Sequence, residues 1–184
     1  GRSGIILVPE ISLTPQAIQR FMNRFGKESV AVLHSKLTRM QKAAEYKRIE
    51  SGQVKVVIGA RSAVFAPLSD IGLIVLDEEH ETSYKSDKSP KYDTLEVAVK
   101  RAMAHKAVVI AGSATPSLVD YYRSENNLFE RLELSERFNE VDMPIVKVVD
   151  MREELKAGNK NLFSEMLANR IADNLARKKQ IILF

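Results

Sequence analysis

Short, strongly apolar runs recur along the chain and alternate with segments of a different pattern. The runs are rich in valine and isoleucine, and they occupy residues 5–8, 30–33, 54–58, 71–76 and 107–111. Short apolar runs of this kind are typical of strands buried on both faces of a parallel sheet. The segments between them carry helical spacing or helix-capping signals, at residues 15–25, 37–51, 95–105 and 117–123. The alternation predicts an α/β fold with a mainly parallel sheet and helices on both of its faces.

The composition changes after Leu134, where a polar stretch at 135–144 has the character of a linker. Beyond it we predict a strand at 145–149, a loop containing Gly158, a helix from about 164 to 177 and a terminal strand at 180–184. The pattern therefore predicts two domains: 1–137, an α/β lobe, and 138–184, a linker with the start of a second lobe. Since a strand stands at each end of the chain, we expect it to be a fragment of a longer protein.

Composition narrows the class of protein only moderately. The chain has 184 residues, of which 45% are hydrophobic and 28% charged, as in a globular protein. Its net charge of +4 fits an anionic partner such as nucleic acid. The absence of cysteine excludes disulfides and thiolate zinc sites in this sequence and fits a cytoplasmic location. No apolar stretch approaches the length of a membrane span, so no membrane association is expected.

The most informative chemistry follows the apolar run 71–76, which ends abruptly in three carboxylates and a histidine. Acids at the carboxyl end of a buried strand are placed where open α/β sheets bind ligands. In nucleotide hydrolases the first acid holds Mg²⁺ and the second orients the attacking water, which would be the roles of Asp77 and Glu78. Glu79 and His80 would link this site to the neighbouring lobe or to Ser113 and Thr115. The alternative is a solvated acidic turn without function.

The next apolar run, at 107–111, passes into the small hydroxyl-containing string G-S-A-T-P at 112–116. Ser113 and Thr115 could sense the network around Mg²⁺ and water and relay it to a nucleic acid. Alternatively, the string is only a helix cap followed by proline at the first helical position. Together with the acidic string, it is similar to motifs II and III of superfamily 2 helicases. No G-x-x-x-x-G-K-[ST] phosphate loop occurs in the sequence.

Two other loops that follow predicted strands carry candidate nucleic-acid contacts. At one, Thr14 and Gln16 stand at a helix start, where free N–H groups favour a phosphate. At the other, Arg61 is a candidate phosphate contact and Ser62 a helix cap or contact. His34, at the end of another strand, is interpreted as structural. The alternative for each is an ordinary connecting loop, although the carboxyl ends of parallel strands would bring these loops to one edge.

A polar loop at 81–93 follows the acidic string directly. It combines cations suited to a nucleic-acid backbone with aromatic rings suited to bases, and its candidate DNA contacts are Tyr84, Lys85, Lys91 and Tyr92. The alternative is a solvated loop with two half-buried tyrosines. Its position after the acidic string favours coupling between a DNA site and a nucleotide site.

These residues together resemble one family, the PriA family of bacterial replication-restart helicases (primosomal protein N′). The resemblance covers nearly the whole chain and is carried by the strings L-V-P-E-I-S-L-T-P-Q at 7–16, V-L-H-S at 32–35, I-G-A-R-S-A-V-F-A-P at 58–67, V-L-D-E-E-H at 75–80, S-Y-K at 83–85, G-S-A-T-P at 112–116, P-I-V-K-V-V-D-M-R at 144–152 and Q-I-I-L-F at 180–184. The combination of D-E-E-H, S-Y-K and A-R-S-A-x-F is far more specific than a generic helicase motif.

The resemblance implies RecA-like helicase lobes and an ATP-dependent 3′→5′ DNA helicase of superfamily 2 that acts in primosome assembly and restart of stalled forks. The implied cofactors are ATP and Mg²⁺, with zinc only in a cysteine-rich module absent from this sequence. The implied partners are single-stranded and forked DNA, other primosome proteins and single-stranded-DNA-binding protein. Asp77 and Glu78 would serve Mg²⁺ and water, and Ser113 and Thr115 would form motif III.

The chain also departs from the family. The family usually has an aromatic-histidine-alanine-arginine-aspartate run where this chain reads Y-D-T-L-E at 92–96, so the coupling role of loop 81–93 stays open. Without a P-loop the fragment alone is expected to be inactive, with its sheet open beside the acidic strand. Two alternatives remain: a non-catalytic nucleic-acid-binding module, or another superfamily 2 translocase.

Overall fold

The structure is a computed structural model that describes residues 1–136 and 144–183. It divides into two compact units, Gly1–Arg131 and Leu132–Phe184. The boundary predicted at 137/138 lies outside the described residues.

The first unit is built on a five-stranded sheet whose strand order is β2-β3-β1-β4-β5 and whose neighbours all pair in parallel. Each strand lies within about two residues of a predicted one, and the bounds are β1 Ser3–Leu7, β2 Val30–Leu33, β3 Val56–Gly59, β4 Ile71–Leu76 and β5 Val108–Ala111. The first strand along the chain is therefore the central one, and the chain crosses over it to reach β4.

Four helices connect or follow these strands: α1 Pro15–Phe25, α2 Arg39–Glu50, α3 Thr94–His105 and α4 Leu118–Glu125. Each begins at a residue whose side chain accepts a hydrogen bond from a backbone N–H of the first turn, namely Thr14, Thr38, Asp93 and Ser117. Such caps satisfy donors that have no partner inside the helix. The sequence indicates where these helices start because their capping residues are of the preferred types.

Alternate residues along the strands point to opposite faces of the sheet, and each face has its own core. Ile5 and Leu7 of β1 belong to the larger core, which α2 and α3 cover. Ile6 packs instead into a smaller cluster with Phe21 and Met22 of α1. Helices therefore cover both faces, as the alternating pattern predicts.

The sheet is open at β5, not beside the acidic strand. β4 has a neighbour on each side, because the crossover through α3 places β5 directly against it. The expectation that the sheet opens beside the acidic strand is therefore wrong. The edge strands are β2 and β5, and at β5 the side chains of Val108 and Ile110 are 59% and 50% exposed.

The described residues of the second unit form two helices, α5 Met151–Lys156 and α6 Glu165–Ala176. α6 matches the helix predicted there, whereas α5 replaces part of a predicted loop. The strands predicted at 145–149 and 180–184 do not form within the described residues, since no neighbouring strand of this unit offers them backbone partners. Among the described residues, no helix is long and apolar enough to cross a membrane.

Candidate nucleotide and nucleic-acid site

The predicted site residues lie at the end of the first unit's sheet where its strands terminate. Because the strands are all parallel, their carboxyl ends meet at that end. The candidates follow four strands: Thr14 and Gln16 after β1, Arg61 and Ser62 after β3, the acidic string after β4, and Ser113 and Thr115 after β5. The sheet therefore brings together the loops whose proximity the sequence predicts.

The acidic string begins where the ladder of β4 ends. The backbone N–H of Asp77 donates to the carbonyl of Leu7 at 2.9 Å, which fixes the backbone of this residue beside the central strand. The Asp77 residue is exposed, so its carboxylate is accessible to a ligand. Glu78 has a φ of +50°, in the left-handed region. That conformation costs a residue with a side chain about 1–2 kcal/mol, and such strain is concentrated at functional sites.

The acidic string is bonded to the turn after β5 at three points. The backbone N–H of Glu79 donates to the carbonyl of Gly112 at 3.0 Å. His80 Nδ1 lies 2.6 Å from Ser113 Oγ, within hydrogen-bond distance. The carboxylate of Glu79 also accepts from the backbone N–H of Ser117 at 2.9 Å, at the start of α4. The acidic string is therefore hydrogen-bonded directly to the turn that carries the serine and threonine candidates.

The pKa of Glu79 is shifted by its position between the acidic string and the start of α4. Burial raises the pKa of its carboxyl group, and the nearby carboxylate of Asp120 raises it further, against the lowering effect of the Ser117 N–H. The guanidinium of Arg123 donates to the carboxylate of Asp120 at 3.0 Å and offsets part of its negative charge. Two carboxylates thus share the start of α4, where the helix dipole favours negative charge.

The structure corrects the interpretation of Tyr84. Its side chain is only 3% exposed and packs in the main core, so its ring is not available to stack on a base. Its hydroxyl donates to the backbone carbonyl of Asp77 at 2.7 Å. Burial, and next the charge of Asp77, raise the pKa of the Tyr84 hydroxyl. In this structure Tyr84 is thus a buried residue that holds the acidic string.

Tyr92 and Arg61 connect loop 81–93 to the segment after β3. The guanidinium of Arg61 lies 5.9 Å from the centroid of the Tyr92 ring and donates to the carbonyl of Lys85. The ring of Phe65 meets Tyr92 edge-on at a centroid distance of 5.0 Å. Arg61 and Tyr92 therefore contact each other, and both are half-buried.

The remaining candidate DNA contacts have exposed side chains: Thr14, Gln16, Ser62, Lys85 and Lys91. The Thr14 hydroxyl is partly committed, because its oxygen accepts from the backbone N–H of Ala17 at 3.2 Å and caps α1. It keeps one proton to donate.

The acidic string fits a magnesium ion bound mainly by a nucleotide and water. Across residues 1–136 and 144–183, no group of three or more histidine, aspartate or glutamate side chains is placed to hold a metal ion by itself. Mg²⁺ is commonly bound through only one or two carboxylates together with substrate phosphates and water. An exposed Asp77 at a strand end meets that requirement.

Sequence reasoning missed three partners of these residues. Ser117 and Asp120 contact Glu79, and a signal for this existed, because a serine before an apolar helix marks an N-terminus that attracts a carboxylate. The third is Thr94, whose hydroxyl donates to the carbonyl of Tyr84 at 2.6 Å. No sequence pattern distinguishes a buried threonine of this kind from any other helical residue.

Comparison with known proteins agrees with this geometry. The chain belongs to the DEAD/DEAH box helicase family, whose model matches residues 1–123. Together with the parallel sheet, this match confirms the predicted RecA-like helicase lobe without its P-loop.

Among individual proteins, the chain is similar over its whole length to the replication restart protein PriA. It is 48% identical to that of Bacillus subtilis (strain 168), over 100% of this chain and 23% of that protein. It is 44% identical to that of Synechocystis sp. (strain ATCC 27184 / PCC 6803 / Kazusa), again over 100% and 23%. The resemblance to the PriA family is thereby confirmed, and the chain spans about a quarter of the length of these relatives.

Among solved structures, the C-terminal domain of the DEAD-box protein Dbp5 matches with a TM-score of 0.47 and 18% identity, covering 72% of each chain.

Proposed function

We propose that this chain is part of the motor of an ATP-dependent 3′→5′ DNA helicase that acts in primosome assembly and restart of stalled replication forks. One observation carries the proposal: the acidic string is hydrogen-bonded on one side to the turn after β5 and on the other to loop 81–93. A motor needs such connections, because the state of the nucleotide has to reach the nucleic acid. The family match supports the helicase class.

In this proposal Asp77 holds Mg²⁺ and Glu78 orients the water that attacks the γ-phosphate. Bound Mg²⁺ neutralises charge on the phosphates. The acidic string and the turn after β5 are held in a fixed relative position by Glu79, His80, Ser113 and Thr115. Since this sequence contains no phosphate loop, hydrolysis needs one from elsewhere in the full-length protein, and we expect the 184-residue chain alone to be inactive.

Forked and single-stranded DNA would bind across the same edge of the sheet. Exposed cations and hydroxyl or amide groups there suit phosphate contacts, and Tyr92 offers part of an aromatic face. Other primosome proteins and single-stranded-DNA-binding protein are the proposed protein partners. We further propose that 1–137 forms the first RecA-like lobe and that 138–184 forms a linker with the start of the second.

The test is fork-stimulated ATP hydrolysis by the full-length protein and its Glu78→Gln variant. We expect wild type to hydrolyse ATP only with DNA present, and the variant to lose turnover about 100-fold or more while still binding nucleotide and DNA. Glu50→Gln, an exposed acid at the end of α2, is the matched control and should keep wild-type turnover.

Normal turnover by Glu78→Gln would exclude this residue as the group that orients water. A wild-type protein that binds forks without hydrolysing ATP would be a binding module and not a motor. Stimulation by RNA or long duplex in preference to forks would indicate another translocase.

A further inference from the structure

We infer that Tyr84 and Thr94 are positioning residues that connect loop 81–93 to Asp77 and so transmit DNA binding to the nucleotide site. The inference rests on the proposed function. It assigns the connection to two buried hydroxyl groups that bind no ligand themselves.

Two hydrogen bonds in series form the connection. The Thr94 hydroxyl, at the start of α3, donates to the backbone carbonyl of Tyr84 at 2.6 Å. The Tyr84 hydroxyl in turn donates to the backbone carbonyl of Asp77 at 2.7 Å. Together they join α3, the loop and the first acid of the string.

Burial makes this connection stiff. Thr94 is completely buried and Tyr84 is 3% exposed, so water cannot easily replace either partner. Breaking one of these bonds would leave a polar group without its partner, which is unfavourable in a buried environment. The two residues are therefore expected to move together with the groups they bind.

The exposed part of the loop is tied to the same two residues. Lys85, directly after Tyr84, forms a β-bridge with Asp93, directly before Thr94. The backbone N–H of Ser86 also donates to the carbonyl of Tyr92 at 2.9 Å. The loop is thus closed at its base, and a displacement of its exposed cations by DNA acts on Tyr84 and Thr94.

The same connection gives a structural role to residues in the stretch at 92–96, where the chain departs from the run usual in the family. Asp93 caps α3 by accepting from the backbone N–H of Leu95 at 2.9 Å, and Thr94 supplies the buried hydroxyl. The divergent residues therefore have definite roles in fixing the loop to the helix that follows it.

The experiment measures the thermodynamic coupling between nucleotide and DNA in the full-length protein. The Kd for a fluorescently labelled single-stranded oligonucleotide is determined with and without Mg²⁺ and a non-hydrolysable ATP analogue. The ratio of the two values is the coupling factor, which is typically about 5- to 150-fold for linked sites. Wild type, Tyr84→Phe, Thr94→Val and Thr94→Ser are compared, with Tyr122→Phe, an exposed tyrosine of α4, as the matched control.

We expect Tyr84→Phe and Thr94→Val to bring the coupling factor to within about twofold of unity, while the Kd without nucleotide stays within about twofold of wild type. Thr94→Ser keeps the hydroxyl and should retain the coupling, as should Tyr122→Phe. A residue needed only for folding would instead weaken both Kd values together. If Tyr84→Phe loses its native circular dichroism spectrum, the Thr94→Val and Thr94→Ser pair decides.

Wild-type coupling in Thr94→Val, or in a folded Tyr84→Phe, would overturn the inference and leave the proposed function standing. A wild-type protein that hydrolyses ATP with DNA but shows no coupling would do the same. If wild type neither hydrolyses ATP nor couples the two ligands, the proposed function fails and the inference fails with it.

Discussion

Gly59 offers a sharp test of the packing at the carboxyl edge of the sheet. It is the buried last residue of β3, paired with Leu33 of β2. A Cβ at this position would lie 2.3 Å from the carbonyl oxygen of Leu33 and 2.7 Å from the Cβ of Ala63. The Leu33 carbonyl cannot withdraw freely, because it accepts from the backbone N–H of Ala60 at 3.2 Å.

We expect Gly59→Ala to destabilise the first unit by about 3 kcal/mol. Overpacking in a core costs about 1–3 kcal/mol, and the upper end applies here because the clash involves backbone of a neighbouring strand. With a urea m-value of about 2 kcal/mol/M, the unfolding midpoint should fall by about 1.5 M. Arg61, two residues further on, should be displaced as well.

The assay is urea unfolding of the 184-residue chain followed by far-ultraviolet circular dichroism. Gly4→Ala is the matched control, since Gly4 also lies in a strand of this sheet but its added Cβ would be 3.7 Å from the Leu73 carbonyl, an ordinary contact. Equal midpoints for the two variants would refute the reasoning, because the predicted difference depends only on the close approach at Gly59.

Three further predictions concern helix ends. Lys106→Gly should stabilise the chain by about 0.5–1 kcal/mol in urea unfolding, because Lys106 ends α3 in the left-handed conformation, which favours glycine; an unchanged or lower midpoint would contradict this. Thr38→Ala should cost about 1 kcal/mol in the same assay by removing the capping box with Gln41, and a change within error would show that the box contributes nothing. In hydrogen exchange, the Ser117 amide should lose protection in Glu79→Ala and keep it in Glu79→Gln, which retains an acceptor; similar protection in both variants would exclude Glu79 as its partner.

The fold of the first unit could be predicted from sequence because its signals are local and consistent. Each strand is an apolar run, and each helix starts at a capping residue of a preferred type. The prediction of strands at 145–149 and 180–184 was wrong because a strand needs a neighbouring strand to pair with, and an apolar run alone does not supply one. The position of the open edge also depends on strand order, which the sequence does not encode locally.

The candidate site was predictable in its location but only partly in its contacts. The acids after β4 and the hydroxyl residues after β5 could be placed at one edge because parallel strands end together. Tyr84 could not be assigned correctly, since a tyrosine among lysines suggests an exposed stacking surface and its burial depends on the packing of the loop against the core. His80 and Ser113 are 33 residues apart in the sequence and come into contact because β4 and β5 pair in a particular register. No sequence motif specifies that register.

The central position of β1 has a consequence for the order of folding during synthesis. Ile5 of β1 pairs with Val57 and with Ile74, so β1 leaves the ribosome 52 and 69 residues before these two partners (57 − 5 and 74 − 5). At about 5–20 residues per second, the wait for the second neighbour lasts about 3–14 seconds. Until the residues of β3 have also been synthesised, β1 lacks both of these neighbours, which leaves exposed an extended apolar segment of the kind that chaperones bind.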